Sequence, residues 1–330
     1  MKEKKFFLYG DWNSNAGPMN VNRSLVENAD KCMVFVRTHN KYLRRLEKIW
    51  QCILRHTIVV SGGYFRPLEL FVANFLHKRI VYIMHGCAEY EKVINKLNTP
   101  QKYLEQERKM HKSAAVIVAV SENYARWVKH RYPQYANKVK FVNNGLEIFS
   151  NFYEHTIHKN GVYSIAVSGG NRPIKCNLEV CKAVEKLVVE GMNIELKVFG
   201  RIHENGEPIL RYPFVKRMGQ LDRDEYYEEL RRTDLYVIAS DTEPFGLVVG
   251  DGVNCGCAML MSKNVGAISI FNKLTSDDLL DDNHDTDEMA LKIKHLLEHS
   301  NAKRLFGCVD TEKCSGKQAY LNLKKICLNE

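Results

Sequence analysis

The run from Leu235 to Met261 constrains the fold more than any other stretch. Leu235 to Ala239 is uninterrupted apolar sequence and reads as a buried strand. Ser240-Asp241-Thr242 and Glu243 follow, then Pro244-Phe245-Gly246-Leu247 and a segment closed by Cys255-Gly256. Proline at a first helical position and glycine beyond the last predict a helix over 244–254. Ala258 to Met261 then reads as a second strand. A helix between two buried strands is the parallel crossover unit, which commits the chain to an α/β fold.

A helix N-terminus offers free amides to phosphates and other anions. A carboxylate at the same place, Glu243, does not bind phosphate itself and suits a ligand that carries hydroxyls beside its phosphates. Taken singly, Glu243 is equally an ordinary acid at a helix start, and Asp251 a solvated helix residue. The whole run, Glu243-Pro244-Phe245-Gly246-Leu247-Val248-Val249 with Asp251 behind it, resembles the signature of retaining glycosyltransferases of the GT-B fold, family four. The resemblance implies that Glu243 contacts the donor sugar and Asp251 the nucleotide ribose. It implies that the backbone of Phe245, Gly246 and Leu247 approaches the donor diphosphate. The family commonly has glutamate where this chain has Asp251, one methylene shorter.

At 330 residues there is room for two full cores. No apolar run approaches the roughly eighteen residues of a membrane span, and the charged start running straight into a strand predicts no signal peptide. The ten cysteines lack CxxC spacing and a histidine cluster, which predicts free thiols in a reducing cytosol and no zinc site. Charge is uneven. Residues 1–150 carry 25 Lys and Arg against 12 Asp and Glu, the rest 23 against 27. A basic N-terminal half fits an anionic membrane surface or a pyrophosphate-linked acceptor. No nucleic-acid motif accompanies it, so nucleic acid is the last choice.

Along that half, Lys5–Gly10 reads as the first strand, with the turn-rich Asp11 to Pro18 and a helix from about Asn20 to Glu27 behind it. Such a loop is an ordinary βα turn or a place where backbone meets a ligand; the resemblance places it at the donor diphosphate and nominates Gly17. Strands are expected at Cys32–Arg37, Thr57–Ser61, Ile80–Met84, Ala114–Val120 and Val139–Val142, and helices at Leu68–His77 and Gln101–Lys112. The predicted helix Lys41–Leu54 sets Leu43, Leu46, Ile49, Trp50 and Ile53 at helical spacing among Lys41, Arg44, Arg45, Lys48 and Arg55. It either lies on a membrane surface or packs on the sheet with a basic outer face. His85-Gly86 ends a predicted parallel strand, where doubly wound sheets bind ligands. The family commonly has a histidine there, which implies a place for His85 near the reacting carbon. The stretches SAAVIVAVSENY and KVKFVNNGLE are similar to the end of the family's N-terminal domain, and 146–161 reads as the linker.

In the second half, Ser164–Ser168 reads as a strand, followed by Gly169-Gly170-Asn171-Arg172-Pro173-Ile174-Lys175 and a helix from about Asn177. Arg172 and Lys175 at a strand end can neutralise a diphosphate; a solvated basic loop is the alternative. Strands at Ile194–Phe199 and Phe214–Met218, and helices near Arg223–Arg232, Thr286–His299 and 316–327, complete the pattern.

The expectation is two Rossmann-like doubly wound domains facing across a cleft. They are an acceptor-side domain over 1–150, joined by the C-terminal helix 316–330, and a donor domain over 151–315. The resemblance implies a retaining hexosyltransferase; the cysteines and the basic N-terminal half predict that it lies in the cytoplasm, peripheral on the inner membrane face. It takes a nucleotide-diphosphate sugar as donor, a saccharide or lipid-linked acceptor, and neither metal nor other cofactor. Bacterial cell-surface polysaccharide or glycoconjugate synthesis is the implied setting. The alternatives are a nucleotide-sugar epimerase of similar shape, a phosphorylase-type enzyme and a non-catalytic GT-B-fold binding subunit.

Overall fold

The computed structural model describes residues 4–13, 17–38, 40–154 and 161–329. It divides into two compact units, one of Met1–Tyr90, Asn98–Glu147 and Glu312–Glu330, the other of Glu91–Leu97 and Ile148–Thr311. Each is a six-stranded sheet with every pairing parallel.

The first stretch of chain runs β1 (Phe6–Tyr9), α1 (Gly17–Glu27), β2 (Met33–Phe35), α2 (Lys41–Leu54), β3 (Thr57–Ser61), α3 (Pro67–Phe75), β4 (Arg79–Met84), α4 (Ala88–Ile94), α5 (Gln101–Ser113), β5 (Val116–Ala119), α6 (Glu122–Arg131) and β6 (Val139–Phe141). The strand order is β2-β1-β3-β4-β5-β6. Strands covered on both faces lose the in/out alternation of an amphipathic sheet, and β1, β3 and β5 are buried at every position. Local sequence sets the helix starts. The Asn40 side chain accepts from the amides of Tyr42 and Leu43 at α2, and Ser121 accepts from Tyr124 at α6. The short α4 was not expected. Its first amides, on Ala88 and Glu89, donate to the buried Glu107 carboxylate of α5 at 2.9 and 3.1 Å. That cap comes from far along the chain.

The rest runs β7 (Tyr163–Ser168), α7 (Asn177–Val189), β8 (Ile194–Phe199), β9 (Val215–Gly219), α8 (Arg223–Leu230), β10 (Leu235–Ile238), α9 (Val248–Asn254), β11 (Ala258–Ser262), β12 (Leu279–Leu280), α10 (Thr286–Glu298), α11 (Ala302–Cys308) and α12 (Gly316–Leu328). The order is β12-β11-β10-β7-β8-β9. One core of this unit gathers Ile165, Val167, Val184, Leu196, Val237, Leu260 and Ile293. The segment Glu91–Leu97 groups here, with the Asn95 side-chain oxygen accepting from Ile174 N at 3.1 Å.

α12 belongs to the first unit. Its Tyr320 hydroxyl donates to Asp30 at 2.5 Å, Lys324 pairs with the same carboxylate, and the carbonyls of Ile326 and Cys327 accept from Arg79 and Thr57. The Lys324 ammonium and the hydroxyl hold the Asp30 carboxyl well below the usual carboxylate range against the cost of its burial.

α2 is turned the opposite way from an ordinary surface helix. Cys52 is its one buried residue, and Arg44, Lys48 and Cys52, spaced by four, share the inward face. Arg44 pairs with Asp11 at 3.0 Å, and the Lys48 ammonium lies 4.6 Å from the centre of the Tyr9 ring. Burial and the nearby Arg44 charge lower the Lys48 pKa. Leu43, Leu46 and Trp50 are exposed at 57, 64 and 58%, beside exposed Leu68, Phe71 and Phe75 of α3. The packing of this apolar stripe onto the sheet, one of the two readings of its sequence, is therefore not what the fold does.

No helix among the described residues is long and apolar enough to cross a membrane. All ten cysteines are free thiols.

Candidate functional site

In a doubly wound sheet, the chain reverses its direction of winding between two adjacent strands, and the loops at their carboxyl ends part to leave a crevice. In the first sheet those strands are β1 and β3, in the second β7 and β10. Arg172, Lys175 and Glu243 lie at the second of these places, and Gly17 and His85 beside the first.

After β7, Gly169 and Gly170 adopt φ of +88° and +64°, and a Cβ on Gly170 would lie 1.9 Å from the Arg201 carbonyl oxygen. The Asn171 amide then ties down the loop beyond β8, donating to the carbonyls of His203 and Glu207 and accepting from His203 N. Arg172 Nε donates to the Gly169 carbonyl at 3.2 Å. The Lys175 ammonium meets the Glu243 carboxylate, with each side chain only 14% exposed. Ser240, at the end of β10, reaches the same carboxylate oxygen at 3.4 Å. The switch point thus holds two cations, a carboxylate and two left-handed glycines.

The helix expected to begin at Pro244 begins four residues later, at Val248. Backbone pairing explains the difference. Glu243 N donates to Asn264 O, Gly266 N donates to Glu243 O and Ala267 N to Phe245 O, which pins 243–245 beside the segment after β11. Gly246 then turns at φ +93°, a value no continuing helix adopts. Glu243 is consequently not a helix-start residue. The amides of Phe245, Gly246 and Leu247 have no protein acceptor among the described residues. Successive free amides around a left-handed residue form an anion-binding concavity without help from a helix dipole. Phe245 and Gly246 are buried and Leu247 is half-buried.

Asp251 sits on α9 and accepts from the Tyr227 hydroxyl of α8 at 2.7 Å. Burial raises its pKa, while the hydroxyl and the Arg223 charge act the other way. Tyr227 had no signal in the sequence that links it to Asp251. Cys176, next to Lys175, Asp241, next to Ser240, and His284 bring their donor atoms within 4.8 Å of one another. Here the Asn283 amide donates to both Asp241 Oδ1 and Cys176 Sγ, at 2.6 and 3.6 Å, and His284 Nε2 lies 2.9 Å from the same Asp241 oxygen. A cation bridging thiol and carboxylate would have to displace that amide.

At the first sheet's switch point, Ser61 ends β3 and His85 follows β4. Ser61 Oγ lies 2.9 Å from His85 Nε2 and donates to Asn22 Oδ1 of α1 at 2.5 Å. Burial lowers the His85 pKa to about 4, so the ring is neutral at neutral pH. Gly17 opens α1, and nothing lies within 4 Å of the Cβ it lacks. Of the loop before it, residues 14–16 lie outside the described residues. Asn22, Ser61 and Glu107 escaped the sequence reading because each looks like a routine polar residue until its distant partner is known.

A family model described as "Family 4 Glycosyltransferase in conflict systems" matches residues 72–305. HepE of Anabaena, in complex with UDP and glucose, superposes with a TM-score of 0.65 at 13% identity, over 99% of this chain and 100% of that one. The lipopolysaccharide outer core galactosyltransferase WaaB, in its apo form, gives 0.65 at 11%, over 99% of both chains. Sucrose-phosphate synthase of Thermosynechococcus elongatus gives 0.65 at 13%, over 99% and 98%. No curated protein matches the sequence. These structural likenesses identify the two-sheet architecture as the GT-B fold. The match over most of the chain's length, across both sheets, makes this protein a member of the family 4 glycosyltransferases of conflict systems.

Proposed function

We propose that the chain transfers a sugar from a nucleotide-diphosphate sugar to a saccharide or lipid-linked acceptor, with retention of anomeric configuration and without a metal ion. The observation that carries this reading is the Lys175–Glu243 pair beside Arg172 and the free amides of Phe245, Gly246 and Leu247. Cations and oriented amides at one switch point suit a departing diphosphate, whose charge they stabilise as the glycosidic bond breaks. Glu243 accepts from sugar hydroxyls. Asp251, oriented by Tyr227, accepts from the ribose, and His85 and Gly17 belong to the same reading as neighbours of the sugar and the diphosphate. No residue is assigned as a covalent nucleophile. HepE, which shares the fold, is described with UDP-glucose, and UDP-sugars are therefore the first donors to try.

The test is a panel of nucleotide sugars with purified protein, read by thermal stabilisation and by release of the nucleoside diphosphate. A true donor at a hundred times its Kd should stabilise the native state by about 2.7 kcal/mol. Product anomers identified by NMR then decide retention. Stabilisation without release at any acceptor would identify a binding subunit instead. No stabilisation by any member would end the donor reading.

The same reading assigns an anionic membrane surface as the partner of α2 and α3, which places the enzyme in the cytoplasm on the inner membrane face. Its support is the outward stripe of Leu43, Leu46, Trp50, Phe71 and Phe75 among Lys41, Arg45 and Arg55. Basic residues near such a surface contribute about 1 kcal/mol each. Co-sedimentation with phosphatidylglycerol vesicles is expected to weaken steadily with salt and to vanish in Leu46→Glu/Trp50→Glu. Equal binding to neutral vesicles, or an unaffected double variant, would overturn this assignment.

A further inference from the structure

His85 has two ring nitrogens, and the atoms around one of them determine what the other can do. Asn22 is fully buried on α1. Its Nδ2 faces two backbone carbonyls, Asp11 O at 2.7 Å and Ser61 O at 3.4 Å. Carbonyls only accept, so the amide nitrogen must lie on that side and Oδ1 on the other. The space for this amide depends on Gly10, where a Cβ would come within 2.6 Å of Nδ2. Asn22 Oδ1 in turn only accepts, and it lies 2.5 Å from Ser61 Oγ, so the single hydroxyl proton of Ser61 points to Asn22. Ser61 then has only lone pairs to offer His85 Nε2 at 2.9 Å. The proton in that contact must come from the histidine.

We propose that Asn22 and Ser61 are positioning residues that hold His85 as the Nε2–H tautomer and present its Nδ1 as a hydrogen-bond acceptor for a ligand hydroxyl. Nδ1 takes no partner among the described residues. The neutral ring keeps its lone pair there. At its free nitrogen His85 therefore accepts and does not donate, which reverses the donor role that a strand-end histidine also allows. The site selects for a hydroxyl at that point of the ligand and against an ether or carbonyl oxygen, either of which would set two acceptors face to face. The ligand half of this inference rests on the glycosyltransferase reading above; the tautomer half does not.

Histidine-selective ¹⁵N labelling of the full chain reads the two nitrogens separately, with His85→Asn assigning the resonances. The ligand-free protein is expected to show one dominant Nε2–H form at neutral pH. Asn22→Leu frees the Ser61 proton to turn toward Nε2, which should move His85 toward the Nδ1–H form. Ser61→Ala should perturb both nitrogens, and Ser61→Thr, which keeps the hydroxyl, should restore the native pattern. Thermal melts of each variant confirm that the spectra belong to folded protein. An Nδ1–H form in the native chain overturns the relay, as does an unchanged His85 signature in folded Ser61→Ala. Titration with UDP-glucose, UDP-galactose and UDP-N-acetylglucosamine tests the ligand half. A donor that binds should shift Nδ1 and leave Nε2 in place, and one that binds without moving Nδ1 overturns that half. If none binds, the donor reading is what has failed, and the ligand-free spectra still decide the relay.

Discussion

Glu243→Gln is expected to lower turnover by at least about a hundredfold, the scale of losing one preorganised electrostatic contact in a transition state, while nucleoside diphosphate binding stays equal or tightens. The two directions have one origin. Lys175 and Glu243 neutralise each other with both side chains largely buried. Removing the carboxylate's charge leaves the ammonium free to face the diphosphate, and a diphosphate alone has no sugar hydroxyls to miss Glu243. The companion change, Lys175→Ala, should weaken diphosphate binding by about 1.5–3 kcal/mol, the worth of a charge-assisted hydrogen bond. Both variants also lose a counter-charge. Breaking a buried pair costs up to about 3–5 kcal/mol of stability, so melting curves must accompany the kinetics. Were Glu243 merely an acid at a helix start, neutralising it would cost little, within about 1 kcal/mol. Its pairing with Lys175 and its place five residues before α9 end that expectation. Titration with UDP and steady-state kinetics on the two variants check the pattern. Undiminished turnover in folded Glu243→Gln would remove it from the catalytic assignment.

Gly170→Ala is expected to cost roughly 2–5 kcal/mol, combining about 1–2 for a left-handed residue with about 1–3 for overpacking. The added methyl would be driven into the Arg201 carbonyl, a backbone atom with no rotamer to yield. Gly191 supplies the control. It has φ +97° and nothing within 4 Å of its missing Cβ, so alanine there should cost only the backbone part, about 1–2 kcal/mol. Urea unfolding of both variants separates the two contributions. Equal losses at the two positions would mean that the approach of Arg201 is not rigid. Because Gly170 precedes Asn171 and Arg172, Gly170→Ala should also displace the cation loop and weaken diphosphate binding, which Gly191→Ala should not.

What could be read from the chain and what could not divide by the range of the interactions. The buried strands announce themselves as unbroken apolar runs, such as Val116–Ala119 or Leu235–Ile238, because each is covered on both faces by its own crossovers. Helix caps are short-range as well: Asn40 and Ser121 accept from amides two or three residues away. The misplaced start of α9 shows the limit. Pro244 carries a local helix signal, yet the partners that override it, Asn264, Gly266 and Ala267, are about twenty residues on. α4 was invisible because its cap is Glu107, and the contact of Tyr227 with Asp251 because it spans two helices. Charged residues pointing at the sheet from α2 were equally hidden. The spacing of Arg44, Lys48 and Cys52 is as helical as that of the leucines beside them, and only Asp11 and Tyr9 decide which face turns inward.

The place of α12 in the first unit bears on the order in which the protein can be made. A ribosome delivers the strands of the first sheet early, but Asp30, Thr57 and Arg79 must wait for Tyr320, Lys324 and the carbonyls of Ile326 and Cys327. Before those emerge, the whole of 148–311 has been synthesised, and it contains all six strands of the second sheet. The usual N-terminal-first sequence of domain folding during synthesis is thereby inverted. The later-made unit is completed on the nascent chain while the earlier one stands open along the face that α12 will cover. A released chain truncated just short of Gly316 should yield a protease-resistant fragment from the second unit and none from the first.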